Sequence, residues 1–468
     1  MFIRKPAVAG QFYEADADKL RKELDSYLKA VRSLKERVLG VLAPHAGYAY
    51  SGATAGAAFS FLKDADFDTV VLIGTGHTAA LKGAAVMSEG FFETPLGRVE
   101  IDSALARDLL RSSELIQDLP AAHAGEHSIE VELPFLQALG KNFKFVPLVA
   151  NTDDVKTLEE IGLVIGQVLK GRKAVVCVSS DLSHYPPGDI AERSDLALLE
   201  AFSTAVRNGD MAHFALANGL LCNKIRAATA ACGYAAMVIG AAACVELGAD
   251  DFKLVKYTHS GKVSGDEAKV VGYGAGLFTQ GGGPAAPRGL SPELQKELLA
   301  LARGSIGNRL KKKSMEPPLS PYAGLNQPAA VFVTLEKAGA LRGCIGTMTP
   351  RQLLSDAVAA YAAASAFEDT RFGPLSAGEL ASVKIEISVL SPLRRVGSWE
   401  EVVEGKHGVY VQKGRLSGTY LPQVWEHFKS REEFLTSLCL EKAGLDAGAW
   451  KERSTALYVY TVDSFKEK

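Results

Sequence analysis

Residues 280–293 read QGGGPAAPRGLSPE, and no other stretch constrains the fold of this chain as strongly. Three successive glycines and three prolines among small residues cannot continue a helix or a strand. Glycine leaves the backbone unrestrained, and proline removes a donor and fixes φ. One folded body therefore ends there and another begins: residues 1–280, a Gly/Pro linker at 281–290, and residues 291–468. The length agrees, because 468 residues exceed what one hydrophobic core can serve. No internal repeat or further low-complexity tract interrupts either part.

In the first part, short β-branched runs alternate with longer amphipathic stretches. The pattern predicts strands at 37–43, 69–73, 143–149, 174–178, 252–257 and 270–277. It predicts helices at 17–31, 103–110, 128–139, 155–169, 189–207 and 229–247. This alternation is that of an α/β domain whose largely parallel or mixed sheet is covered on both faces. The second part predicts a helix over 291–310, strands at 330–335 and 383–390, and a helix over 350–364 between them, which is a compact α+β domain.

Charge and cysteine usage narrow the class of function. The net formal charge is −2, with a six-acid excess before residue 281 and a four-base excess after it. Neither part has the basic surplus of a dedicated nucleic-acid binder. Lys311, Lys312 and Lys313 read as a solvated loop or helix end. No apolar run is long enough to span a membrane, and the N-terminus MFIRKPAVAGQFYEAD lacks the apolar core of a secretory signal. Six scattered cysteines without CxxC spacing suit free thiols in a reducing compartment, so a cytoplasmic protein is expected.

Chemistry concentrates just past the predicted strands. VLGVLAPHAGYAYSG puts His45 after the first, TVVLIGTGHTAAL puts His77 after the second by way of Gly74 and Gly76, and AVVCVSSDLSHYP puts Asp181 and His184 after another. In an open α/β sheet, ligands bind outside the carboxyl ends of the strands. One histidine there is usually structural, but three equivalent positions point to one shared site. The glycines suit tight turns and close approach to a bound group. HAGEHSIEVELPFLQ adds His123, Glu126 and His127, with Glu126, Glu130 and Glu132 read as capping and salt-bridging acids and His127 within reach of the sheet edge. Cys232, in RAATAACGYAAMVIGAAACVELG, reads either as an inert buried thiol or, near a helix start, as a thiolate ligand or nucleophile.

The strings RKPAVAGQFY, APHAGYAYSG, IGTGH, EHSIEVELPFLQ, SSDLSHY and the ACG at Cys232 occur together in the order seen in the Memo family, and the resemblance spans essentially all of 1–280. It implies a fold similar to class III extradiol (non-haem iron) dioxygenases, with His45, His77 and Cys232 as metal ligands. Asp181 and His184 would line the same pocket, with His127 nearby. Two imidazoles and a thiolate resemble the 2-His-1-carboxylate iron site with a softer anion, so iron or copper is implied, with zinc also compatible. The thiolate departs from the ring-cleaving enzymes, and extradiol cleavage is not carried over. His184 would act as acid or base with Asp181 orienting it, or either would be a further ligand.

The second part carries ALRGCIGTMTP, FEDTRFGPLSAGEL, IEISVLSP and GKHGVYVQKGRLSGTYLPQVW, which resemble the AMMECR family over about residues 291–468. Such domains accompany Memo-like proteins and a radical S-adenosylmethionine protein, the AmmeMemoRadiSam association. The resemblance implies that radical protein as a separate partner. Cys344 lies between glycines beside Arg342, and reads either as an activated thiol or as a buried cysteine in a turn. Glu368, Asp369 and Arg371 read as a salt-bridged rim, and His407, Thr419 and Tyr420 as the border of a cleft.

Two classes of function follow. One is a metal-dependent redox enzyme of unknown substrate, a small molecule or peptide, with Cys344 in the second domain presenting or modifying it. The other is a non-catalytic adaptor that binds peptides in the old active-site cleft, or a copper- or iron-binding protein.

Overall fold

The computed structural model describes residues 2–29, 34–282, 289–313, 316–452 and 454–468. The chain divides into two compact units, with the division after residue 285. Residues 283–288 of the expected linker lie outside the described residues.

The first unit is built on an eight-stranded sheet. Its order is Asp251–His259, Gly272–Gln280, Arg37–Ala43, Ala174–Ser179, Thr69–Thr75, Lys144–Ala150, Ala84–Val86, Ile116–Asp118. The middle four strands are mutually parallel. Thr69–Thr75, TVVLIGT, is buried at every residue, the signature of a strand covered on both faces. Phe59, Phe135, Tyr48 and Leu24 fill the core on one side with Val41, Leu72 and Cys177 from the sheet. The Tyr234–Glu246 helix is buried from Ala235 to Cys244, as its small residues allow. A small sheet pairs Ile3–Arg4 with Phe91–Thr94 and the latter with Gly97–Glu100. The six predicted strands all form, as do helices at Val155–Leu169, Ser103–Ser112 and Gly188–Asn208.

Three departures bear on the site. The predicted 128–139 helix is a 3-10 turn, Glu130–Glu132, followed by Leu133–Ala138, because Glu126, Glu130 and Glu132 are drawn inward by buried partners. The predicted 229–247 helix starts only at Tyr234, which leaves Cys232 in the preceding turn. Helix Tyr48–Phe59, YAYSGATAGAAF, lacks an apolar stripe and was not expected; neither was Met211–Ile225.

The second unit has two four-stranded antiparallel sheets. One runs Ala340–Gly346, Ala330–Lys337, Val383–Leu390, Val462–Lys466, and the other Arg394–Val396, Ala456–Tyr460, Gly408–Lys413, Leu416–Tyr420. Helices Pro292–Leu310 and Leu354–Phe367 pack on the first sheet through Leu298, Ala302, Ile306, Val358 and Ala362. This is an α+β arrangement. Cys344 sits in a strand rather than a turn, opposite Thr334. The six cysteines are unpaired. Among the described residues, no helix is long and apolar enough to cross a membrane.

Candidate metal centre

The Arg37–Ala43, Thr69–Thr75 and Ala174–Ser179 strands end side by side, and the segments after them deliver His45, His77 and Asp181 to one edge. Gly74 permits this convergence. A Cβ there would overlap Ser128 Oγ and lie 2.9 Å from Ile129 Cγ1. The glycine therefore makes room for Ser128, not for a bound group. Ser128 Oγ in turn accepts from Thr75 N and donates to Thr75 O, both at 3.0 Å, and so ties the His127 segment to the strand end.

Three imidazoles meet here. The rings of His45 and His77 are 5.3 Å apart and nearly perpendicular, those of His45 and His127 5.4 Å, and His77 stacks on His127 at 4.8 Å. Cys232 Sγ lies 3.1 Å from His45 Nε2. The donor atoms of His45, His77 and His127 fall within 4.8 Å of one another, as do those of His45, Asp181 and Cys232. His45 belongs to both groups and is the hub. His45 is buried, whereas the side chains of His77 and His127 are 31% and 25% exposed, so the cluster opens to solvent on their side.

Each ring is held from behind. His45 Nδ1 is 2.9 Å from Ser179 Oγ, and His45 N donates to Asp181 Oδ1 at 2.9 Å. His77 donates to Glu126 from both its backbone N (2.8 Å) and Nδ1 (3.0 Å), and Ser128 N donates to the same carboxylate at 2.8 Å. With Nδ1 of His45 and of His77 engaged, Nε2 of each is the nitrogen left for a metal, the arrangement in which second-shell partners fix metal-binding histidines. Glu130 holds the next layer. It accepts from Ala7 N, Val8 N, Tyr13 Oη and the guanidinium of Arg4, which also donates to Glu126 O and His123 O. Arg4, Glu126 and Glu130 are all buried. The acids read from sequence as capping and salt-bridging groups are buried, Glu130 in a salt bridge with Arg4, and all three are interior supports. His123 is one as well, with Nε2 at 3.2 Å from Ala85 O.

Burial keeps three of the site's imidazoles, those of His45, His127 and His184, neutral. Burial pushes His45 far below its ordinary range, with His127 and His77 adding to the shift, and burial also lowers His127 and His184. Neutral imidazole is the form that ligates. Burial, seconded by Asp181, pushes the Cys232 thiol well up, while burial raises Asp181 to about 7. Glu126 is the exception. Burial opposes its charge, but hydrogen bonds from His77 and Ser128 outweigh this and hold it at about 2. Beside the un-ionised Cys232 thiol, the buried His45 and His127 rings are neutral and do not supply the positive charge that would ionise the sulfur. A cation would supply it. The residues present therefore fit a soft or borderline metal ion.

His184 stands beside this group. Its main chain is pinned by Thr229 O and Ala228 N, and its buried Nε2 has no hydrogen-bond partner. Tyr185 follows with φ of +77° and an exposed ring, a conformation uncommon for a non-glycine residue. Cys344 belongs to the second unit. There Thr334 Oγ1 donates to its Sγ at 3.2 Å, and Asp369 Oδ2 accepts from Cys344 N at 2.8 Å. The cation on this segment is Arg371, which donates to Cys344 O and Asp369. Arg342 instead faces Glu379, Gly373 O and the Phe372 ring. His407 is buried, its Nδ1 accepting from Val403 N and its carbonyl from Trp425, which is a packing role and not a cleft border. Lys311–Lys313 are exposed at a helix end.

A mixed sheet sandwiched by helices, with imidazoles and a thiol gathered at the carboxyl edge of its parallel strands, defines an α/β protein with a candidate metal-binding site. The chain belongs to the Memo-like family, whose model matches residues 4–277, and the AMMECR1 model matches residues 299–465 of the same chain. A MEMO1 family protein of Methanopyrus kandleri is 38% identical over 291 residues, covering 59% of this chain and 99% of the relative. One from Aquifex aeolicus is 35% identical over 279 residues, covering 59% and 100%. A crystal structure of an uncharacterized Pyrococcus horikoshii protein is 38% identical and covers 37% of this chain and 90% of its own, with a TM-score of 0.31.

Proposed function

We propose that the first unit is a metal-dependent redox enzyme, with His45, His77 and Cys232 as ligands to iron or copper and zinc as the redox-silent alternative. The observation that carries this reading is Cys232 Sγ at 3.1 Å from His45 Nε2, with the His45 and His77 rings 5.3 Å apart and both Nδ1 atoms engaged from behind. Cys232 is preferred to His127 as third ligand because a cation in a buried pocket needs an anion, and a thiolate supplies one. Iron or copper there would contribute one-electron chemistry, as in dioxygenase-like non-haem sites.

The chain's own groups divide the remaining work. His184, with a buried and unpartnered Nε2, accepts or donates a proton on a substrate entering from the open side. Asp181 fixes the His45 backbone, and His127, stacked on His77 and edged by Phe12 at 5.0 Å, shapes the wall of the pocket. The second unit presents or modifies the substrate through Cys344, and a separate radical S-adenosylmethionine protein serves as partner. Fusion of the Memo-like and AMMECR1 segments in one chain supports a shared task.

Elemental analysis of protein purified without added metal, followed by oxygen-consumption assays, tests the reading. His45→Ala, His77→Ala and Cys232→Ala should each lose the metal. Stoichiometric retention in any of them overturns the ligand assignment, and an empty site in well-folded wild-type protein favours the adaptor reading.

A further inference from the structure

Glu132 is a buried acid that the reading above leaves idle. It is 1% exposed, Oε1 lies 2.8 Å from Ser179 Oγ, and Oε2 has no hydrogen-bond partner. The groups that act on it are Ser179 and Asp181 from the segment at the end of one strand, Cys177 within that strand, and Tyr48 from the adjacent helix. None of these is a cation.

Counting hydrogens around Ser179 fixes the state of this acid. Ser179 Oγ has three neighbours: His45 Nδ1 at 2.9 Å, Ser128 O at 2.7 Å and Glu132 Oε1 at 2.8 Å. Ligation of a cation through Nε2, the nitrogen that faces Cys232 Sγ, requires the hydrogen of the neutral ring on Nδ1, which then donates to Ser179. The Ser128 carbonyl can only accept, and it takes the single hydroxyl hydrogen of Ser179. Glu132 can then complete the set only as a carboxylic acid donating to Ser179. Burial acts in the same direction and raises its carboxyl far above the usual range.

We propose that Glu132 is a proton store coupled to His45 through Ser179, holding a proton while the site lacks a cation and releasing it when one binds. In the release step the Glu132 Oε1–H bond breaks and the proton goes to solvent. The Ser179 hydroxyl turns its hydrogen from Ser128 O to the new carboxylate, while its oxygen continues to accept from His45 Nδ1. No other bond changes. A neutral hydroxyl behind the ring thereby becomes a carboxylate–hydroxyl–imidazole chain, which strengthens His45 as a donor when a cation needs it. The lost Ser128 hydrogen bond and the burial of the new charge hold the store closed in the metal-free protein. Glu132 is thus a positioning residue, and this inference rests on the metal-binding reading above.

The test is zinc(II) titration of the full chain by calorimetry in buffers of different ionisation enthalpy, which counts protons released per ion. Glu132→Gln keeps a donor toward Ser179 but has no proton to give. It should release one proton fewer than wild type, and its zinc affinity should rise tenfold less per pH unit. Cys232 ionises in both proteins and cancels. Infrared difference spectra should show a buried carboxylic acid lost on zinc addition in wild type and absent from the variant. Equal proton counts, or no carboxylic acid signal in wild type, overturn the proposal. If Glu132→Gln does not fold, Ser179→Ala, which cuts the link, must also release one proton fewer, and a wild-type count there overturns it equally. Wild-type protein that takes up no zinc overturns this proposal, and one that takes up no iron or copper either removes the metal reading with it, whereas zinc uptake with equal counts removes this proposal alone.

Discussion

Replacing Glu126 by glutamine separates support of the candidate metal site from support of the fold. Glu126 Oε1 accepts from His77 Nδ1 (3.0 Å) and Ser128 N (2.8 Å), and Oε2 accepts from His77 N (2.8 Å), in a carboxylate that is 1% exposed. Glutamine has one acceptor oxygen. If that oxygen takes the Oε1 position, the amide nitrogen faces the N–H of His77, donor against donor. One buried donor left unpaired costs about 1–3 kcal/mol, so the metal-free variant should lose about 2 kcal/mol of stability. Its metal affinity should fall about 10–100-fold, the usual effect of removing a carboxylate behind a ligating histidine. The three tryptophans, Trp399, Trp425 and Trp450, all lie in the second unit, so fluorescence is blind to this change. Hydrogen exchange of peptides from the Thr69–Thr75 strand reads the stability, and competition with a chromophoric chelator reads the affinity. Wild-type affinity in a destabilised variant would show that Glu126 serves only the fold. No change in either quantity would mean that the Glu126–His77 geometry is wrong.

Two further perturbations probe each unit by its own chemistry. Asp195 is fully buried, and burial raises its carboxyl from 3.8 to about 7 despite donors from Ser183 N and Tyr257 Oη. A raised acid contributes stability that is complete below its unfolded value near 4, falls as pH rises, and is gone above 7. Asp195→Asn should therefore gain about 4 kcal/mol on wild type between pH 4 and pH 8, measured by hydrogen exchange of the first unit, and parallel pH profiles would contradict the assignment. In the second unit a Cβ on Gly343 would overlap the backbone oxygen of Ser365. Gly343→Ala should cost about 1–3 kcal/mol, seen as a lower urea midpoint by tryptophan fluorescence, and an unchanged midpoint would show that the helix end yields freely.

The strand scaffold was legible because parallel strands buried on both faces read as unbroken apolar runs, as in TVVLIGT and AVVCVS. The clustering of His45 and His77 in the candidate site was legible for a related reason: residues just past such strands have one edge to reach. What escaped the sequence depended on partners distant in the chain. Cys232 was expected at a helix start, but Asp181 O takes its N–H and Ser180 Oγ takes that of Gly233, which delays the helix to Tyr234. One of the two readings of Cys344 placed it in a turn, because RGCIG is glycine-rich. It lies in a strand because Gly343 must pass close to the Ser365 backbone. Helix Tyr48–Phe59 has no apolar face for periodicity to detect, since alanine and glycine fit it closely against neighbours on several sides.

The acids of EHSIEVELPF show where a sequence signal was present and was read too weakly. Glu126, Glu130 and Glu132 sit among Ile129, Val131, Leu133 and Phe135, all of them buried, and a carboxylate in such a run cannot stay there without a partner. The structure gives each a different one. Glu126 has His77 and the Ser128 amide, Glu130 has Arg4 with Tyr13 and two backbone amides, and Glu132 has a serine hydroxyl. Their states diverge accordingly, from a firmly held anion at Glu126 to a neutral acid at Glu132. One short segment thus reaches His77 with a charge and His45, through Ser179, with a proton. The two rings of the candidate site are therefore supported by chemically different groups that share a stretch of seven residues. The same segment also binds the N-terminus: Ala7, Val8 and Tyr13 are tied to Glu130, and Phe12 packs on His127. Loss of that N-terminal segment would strip Glu130 of its cation and loosen both supports, although none of its residues is assigned as a ligand.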